Sequence, residues 1–205
     1  MTGGIAHRSR HLAIGVWASG LTLMSGPAQA HTGTGLPGGF VSGFTHPLSG
    51  LDHLLAMVCV GLWGAFLGRP LIYLLPMIFP AVVVGGAVLA MVGVPLPPVE
   101  IGIALSVIVL GGCIGLAIRA PVWAASLIVA VFALFHGYAH GKELPSAADP
   151  VAYSVGFVLA TGLLHVLGIG LGAFNQRPVG EAANRAAGGV VALAGAWFLY
   201  KAIVP

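Results

Sequence analysis

The feature that most limits this chain is a succession of six long apolar stretches almost free of charge. They run at about 47–68, 71–93, 98–118, 121–140, 151–174 and 185–203. Each approaches the ~20 residues that a helix needs to cross a ~30 Å hydrocarbon core. Only 6% of the 205 residues are charged and 58% are hydrophobic, whereas soluble domains carry about 25% charged residues. Such a chain cannot cover a water-facing surface. Lipid offers no partner to unpaired backbone groups, so these stretches are expected to be helices. The expected fold is an all-α membrane protein, a six-transmembrane-helix bundle. Short connections at Gly68-Arg69-Pro70, Val94 to Pro98 and Arg119-Ala120-Pro121 predict that sequential helices pack as antiparallel neighbours.

The segment before these stretches reads as a cleavable signal peptide. Arg8 and Arg10 give a basic start, Leu12 to Met24 an apolar core, and Ala28-Gln29-Ala30 an A-x-A cleavage pattern. The expected organisation is therefore a signal at 1–30 and a single six-helix domain at 31–205, with His31 as the first mature residue. A signal sends that terminus outward. The inside turns then hold Arg69, Arg119, Arg177 and Arg185, while Lys142 and Lys201 lie outside. This is the bias expected from the positive-inside rule. The expected location is a bacterial inner membrane, with the mature N-terminus in the periplasm.

Several function classes drop out. The formal net charge of +3 is scattered, with no basic run to track phosphates, so no nucleic-acid partner is expected. Cys59 and Cys113 lie in apolar runs and form no CxxC pair. Glycines such as Gly85-Gly86, Gly111-Gly112 with Gly115, and Gly168, Gly170 and Gly172 read as close helix contacts in lipid. Pro76 and Pro80 must disturb the second span's hydrogen-bond ladder. Phe79 lies between them, as a packing ring or as a gate.

Ionisable groups in a bilayer are costly and ask for a reason. Here they gather in two strings. The first is His46-Pro47-Leu48-Ser49-Gly50-Leu51-Asp52-His53. Pro47 suits a first helical position. His46 and His53 would then share one helix face, roughly 10 Å apart. Asp52 could ligate a cation directly, or fix a histidine tautomer as an acceptor. Met57, one turn beyond His53, offers a thioether or simple packing.

The second string is His136-Gly137-Tyr138-Ala139-His140-Gly141-Lys142-Glu143. His136, His140 and Glu143 share a face if the helix continues that far. Imidazoles with carboxylates suit nickel, cobalt, zinc or copper. Both strings fall at the outer ends of their helices, so the expected site lies between the first and fourth spans. His165 in the fifth span reads as a helix-to-helix hydrogen-bonding residue or a station on a route. Glu100 opens the third span as a dipole-matched charge or a cation attractor. Asp149 before Pro150 reads as a helix cap. His31 could chelate through its imidazole and α-amine, or serve no such role.

Enzyme readings fare poorly. The H-x-x-x-H spacing of His136 and His140 is that of zincins, but Gly137 stands where the general base belongs. No nucleophile elbow occurs. Histidines on two helices could hold haem axially, yet Asp52 and Glu143 suit a divalent cation better than the apolar wall of a haem site.

The string His46-Pro-x-x-Gly-x-Asp52-His53 resembles the signature of the HupE/UreJ family of membrane proteins. The segment from Phe135 to Glu143 resembles that family's second hallmark, and the resemblance covers the whole chain. It implies secondary permeases that take up nickel for hydrogenase or urease maturation. It also implies a metal motif on His46, Asp52, His53, His136, His140 and Glu143. Nickel rather than cobalt or zinc rests on the resemblance alone. The first string is also similar to, though one residue longer than, a His-x4-Asp-His string of nickel/cobalt permeases.

The resulting expectation is non-ATP-driven transport of Ni2+, with Co2+ as a second candidate, from periplasm to cytoplasm. Glu100, Phe79, Met57, His165 and His31 are secondary positions on the route. No enzyme activity, no P-loop and no permanently bound cofactor are expected. The divalent ion and the lipid bilayer are the partners, with a second copy or metalloenzyme maturation proteins as further ones. The alternative is a membrane metal-binding or assembly protein that does not transport.

Overall fold

The computed structural model describes residues 39–143, 149–174 and 178–204. The signal segment, His31 and Arg177 lie outside them. The described residues form seven helices and no strand. They are α1 (Phe40–Ser49), α2 (Leu51–Leu67), α3 (Leu71–Met91), α4 (Val99–Gly115), α5 (Val122–Glu143), α6 (Pro150–Ala173) and α7 (Pro178–Ile203). Four of these, α3, α5, α6 and α7, are long and apolar enough to cross a membrane. α4 is shorter, at 17 residues. Large apolar side chains such as Met77, Trp123, Leu127, Leu163, Val166 and Leu193 stand exposed, which a lipid solvent tolerates and water does not.

The first span departs from expectation. Instead of one helix over 47–68 beginning at Pro47, α1 starts at Phe40 and holds Pro47 in its interior. Gly50 takes an extended conformation (φ −89°, ψ 111°), and α1 meets α2 at 84°. His46 and His53 therefore sit on different helices rather than on one face of a single helix. Broken backbone is admissible at membrane depth only where protein or a cavity surrounds it.

Helix pairing also differs. The most intimate pairs are α3 with α5, α4 with α7, and α6 with both α2 and α1. They are not neighbours in sequence. The contacts explain the choice. Added side chains at Gly86 and Gly137 would strike the carbonyls of Leu134 and Val83, locking α3 to α5. Gly111 and Gly115 meet the backbone of α7 around Gly188, and Gly168 meets Val58 of α2. Each is a small-residue seam of the kind that lets backbones approach in lipid. Gly85, Gly112 and Gly170 face open space instead. Short connections thus fix which helices are joined, while glycine seams fix which ones pack.

Connectivity gives the bundle two unlike ends. One gathers α1, the end of α5 and the start of α6, where Asp149 caps α6 by accepting from the Ala152 N–H at 2.9 Å. The other holds the arginines. There Arg119 lies 5.2 Å over the Phe66 ring and Arg185 donates to the Gly115 carbonyl at 3.2 Å. The core between them includes Trp63, Phe79, Leu75, Val107 and Leu110, all fully buried.

The seam makes a stability prediction. Gly137→Ala drives a methyl into the Val83 backbone and should cost about 1–3 kcal/mol, the usual range for overpacking. It is read as a lower thermal midpoint in detergent. Gly112→Ala meets nothing within 4 Å and should leave the midpoint level or slightly higher, since alanine is the better helix former.

Candidate metal centre

The two histidine strings converge at the end opposite the arginines. α5 delivers His136 and His140 from the face beside its glycine seam, because Gly137 and Gly141 are each the next residue, about 100° round the helix. Those glycines lie against α3, so the histidines turn toward α1, α2 and α6. This also accounts for glycine at the position where a zincin keeps its base: a larger residue would strike the Val83 backbone.

The bend at Gly50 supplies the rest. His46, on α1, folds back over the start of α2. Its ring centroid lies 6.3 Å from that of His53 and 4.8 Å from that of His140. A straight helix would separate His46 and His53 by roughly 10 Å. His53 is in turn 4.8 Å from His140 and 4.6 Å from His136. His46 is partly exposed, His140 is 5% exposed, His53 2% and His136 0%. The cluster thus grades from a wet mouth into the dry interior.

Two of these rings are held in defined tautomers by their partners. The His53 Nδ1–H donates to Asp52 Oδ1 at 2.9 Å, and the same oxygen accepts the His53 backbone N–H at 2.8 Å. Asp52 occupies the first turn of α2, where a negative charge is favoured by the helix dipole. Gly50 leaves the pair room, since a Cβ there would lie 3.1 Å from Asp52 Oδ1 and 3.5 Å from His53 Nδ1. With Nδ1 protonated, His53 Nε2 carries a lone pair. It is buried and has no hydrogen-bond partner among the described residues.

His136 is the mirror case. Its Nε2 lies 3.0 Å from Ser106 Oγ, and the Ser106 hydroxyl hydrogen is already committed to the Ile103 carbonyl at 2.6 Å. Ser106 must therefore accept, so His136 Nε2 bears the proton. That leaves Nδ1 as the lone-pair nitrogen, again buried and without a hydrogen-bond partner among the described residues. A buried polar atom without a partner costs free energy. Two such lone pairs on touching rings suit a cation.

Among the described residues, no three or more His, Cys, Asp or Glu side chains already stand in a metal-holding arrangement. The donors are assembled but not closed around a point.

Of the other expected positions, Glu143 is the last residue of α5, so the helix does continue far enough for the His136, His140, Glu143 spacing. Its side chain lies outside the described residues. Glu100 is exposed in the first turn of α4. Met57 is fully buried and its Sδ accepts from the Thr161 hydroxyl at 3.5 Å. Phe79 is fully buried too, with its ring 5.6 Å from His136 and 5.4 Å from His165.

Sequence reasoning missed Ser106, although a lone hydroxyl inside an apolar helix was a signal. It also missed Tyr153, Phe157 and Thr161, which with His165 form a stripe that recurs every fourth residue on α6. Tyr153 lies 6.0 Å from His46, and Phe157 4.3 Å from His140.

The strings that converge here are those that resemble the HupE/UreJ motifs, and comparison with known proteins agrees. The chain matches the HupE / UreJ protein family over residues 19–198. A HupE protein of Rhizobium leguminosarum bv. viciae is 44% identical over 180 residues, which cover 87% of this chain and 94% of that protein. No solved structure matches. With a family match and a relative that both span nearly the whole chain, and with both motif strings meeting at one end of the bundle, this protein belongs to the HupE / UreJ family.

Proposed function

We propose that the chain is a secondary permease that admits Ni2+, with Co2+ as its competing substrate, from the periplasm for hydrogenase or urease maturation. The observation that carries this reading is the pair of buried lone-pair nitrogens, His53 Nε2 and His136 Nδ1, on adjoining rings. Imidazole nitrogens suit nickel and cobalt over hard ions. The choice of nickel follows the character of the family.

The proposed membrane arrangement has six spans after a signal peptide at 1–30. α1 and α2 together form the first span, broken where it lines the site. α4, at 17 residues, sits at the short limit for crossing. Arginines at the end opposite the histidines favour a periplasmic mouth by the positive-inside rule.

In this reading the mouth carboxylates Glu100 and Glu143 attract the hydrated ion, and partly exposed His46 takes the first water's place. His140, between His46 and His53, hands the ion inward. His53 and His136 bind it while Asp52 and Ser106 hold their tautomers. Conduction needs binding weak enough to release the ion. The open arrangement of the donors fits that need, since a closed four-ligand cage would trap the ion.

Two experiments test this reading. Purified wild type reconstituted in liposomes should take up radioactive nickel, and His53→Ala should lower uptake by about tenfold or more, as loss of an ion-binding group in the membrane implies. Wild type that binds nickel but never moves it would replace the permease with a metal-binding accessory protein. Uptake that persists in His53→Ala after binding is lost would refute the proposed route. Separately, Asp52→Asn and Ser106→Ala should each weaken nickel affinity about 10–100-fold in equilibrium dialysis, as orienting partners of metal ligands do. Unchanged affinity would remove the tautomer argument.

A further inference from the structure

Beyond Phe79 lies a second polar group that the outer cluster does not use. His165, in the interior of α6, is 2% exposed, and its Nε2 has no hydrogen-bond partner among the described residues. Its position follows from a defect in α3. Pro80 has no N–H, so the carbonyl one turn before it, that of Pro76, loses its helical donor. In lipid such a carbonyl must find another donor. The His165 imidazole lies within hydrogen-bonding reach of the Pro76 backbone. A carbonyl can only accept, so the ring nitrogen facing it carries the proton. Nε2, the nitrogen without a partner, is then a lone pair. The logic is that of His53, with a backbone carbonyl in place of the Asp52 carboxylate.

The surroundings continue the route. Thr161, one turn before His165, is fully buried, and its hydroxyl donates to the Met57 thioether. Met57 is itself one turn beyond His53 on α2. Phe79 stands between the two levels, edge-on to His165 (89°) and tilted against His136 (56°). From Tyr153 to His165 the α6 stripe covers about 18 Å at 1.5 Å per residue, more than half of a ~30 Å hydrocarbon core.

We propose that His165 Nε2 is a second, deeper cation station, supported by the Met57 thioether and the Thr161 hydroxyl, which receives the ion from His53 and His136 past the Phe79 ring. Imidazole with thioether suits a borderline-soft divalent ion such as Ni2+. Two stations separated by an apolar ring also allow an ion entering the first to assist release from the second. The station rests on the permease reading above.

The test uses the full chain in detergent and in liposomes, with Ni2+ as the probe. Wild type should bind a second, weaker equivalent of nickel in equilibrium dialysis. His165→Asn keeps an amide N–H for the Pro76 carbonyl but removes the imidazole lone pair. It should hold its thermal midpoint and its first equivalent, lose the second, and take up nickel about tenfold more slowly or worse. His165→Ala should behave alike in binding and uptake, with a lower midpoint. Wild-type uptake and stoichiometry in His165→Asn would overturn the station. So would loss of the first equivalent together with stability in both variants, which would make His165 a structural support. If wild type binds nickel and fails to move it, the permease reading falls and the station falls with it.

Discussion

The structure turns on the cost of leaving an imidazole nitrogen dry. Each ring has two nitrogens, and in its neutral form one donates and the other accepts. His53 and His136 each spend one nitrogen on a fixed partner, Asp52 Oδ1 at 2.9 Å and Ser106 Oγ at 3.0 Å. The partners are of opposite placement, one facing Nδ1 and the other Nε2. The nitrogens left over therefore differ between the two rings, and both are buried without a protein partner among the described residues. The two rings pack with centroids 4.6 Å apart, inside a bundle of the kind where ionisable groups are rare and mark functional sites.

Two devices bring those rings together. A glycine seam between α3 and α5 sets the rotation of α5, so that His136 and His140 face away from α3. The bend at Gly50 sets His46 over His140, a contact that an unbroken first span would forbid. Both devices depend on small residues, at Gly86, Gly137 and Gly141 in the seam and at Gly50 in the bend. The motif glycines are thus as much a part of the site as the histidines between them. On the proposed reading, the broken first span and the proline-disturbed α3 are the two places where backbone irregularity lines the ion's route.

Much of this was legible in the sequence. The apolar stretches announced the helices, and the two histidine strings pointed to the candidate site, because ionisable residues in lipid are costly and ask for a reason. The cap at Asp149 was readable from the proline that follows it. The break at Gly50 was not. Pro47 is equally at home at a helix start, and an extended Gly50 leaves no mark on hydrophobic periodicity. Helix pairing was hidden for a related reason: Gly86 and Gly85 look alike in sequence, yet only Gly86 meets another backbone. Ser106 escaped because its role depends on α4 approaching α5 where Gly102 admits the Phe135 ring.

On the proposed reading, His53 Nε2 and His136 Nδ1 are the nitrogens that hold the ion. Nickel K-edge X-ray absorption of the nickel-loaded protein tests this most directly. Imidazole scattering from more than one ring is expected, reduced in His53→Ala and reduced again in the His53→Ala, His136→Ala double variant. A spectrum of oxygen ligands alone, or imidazole scattering unchanged in the double variant, would contradict it.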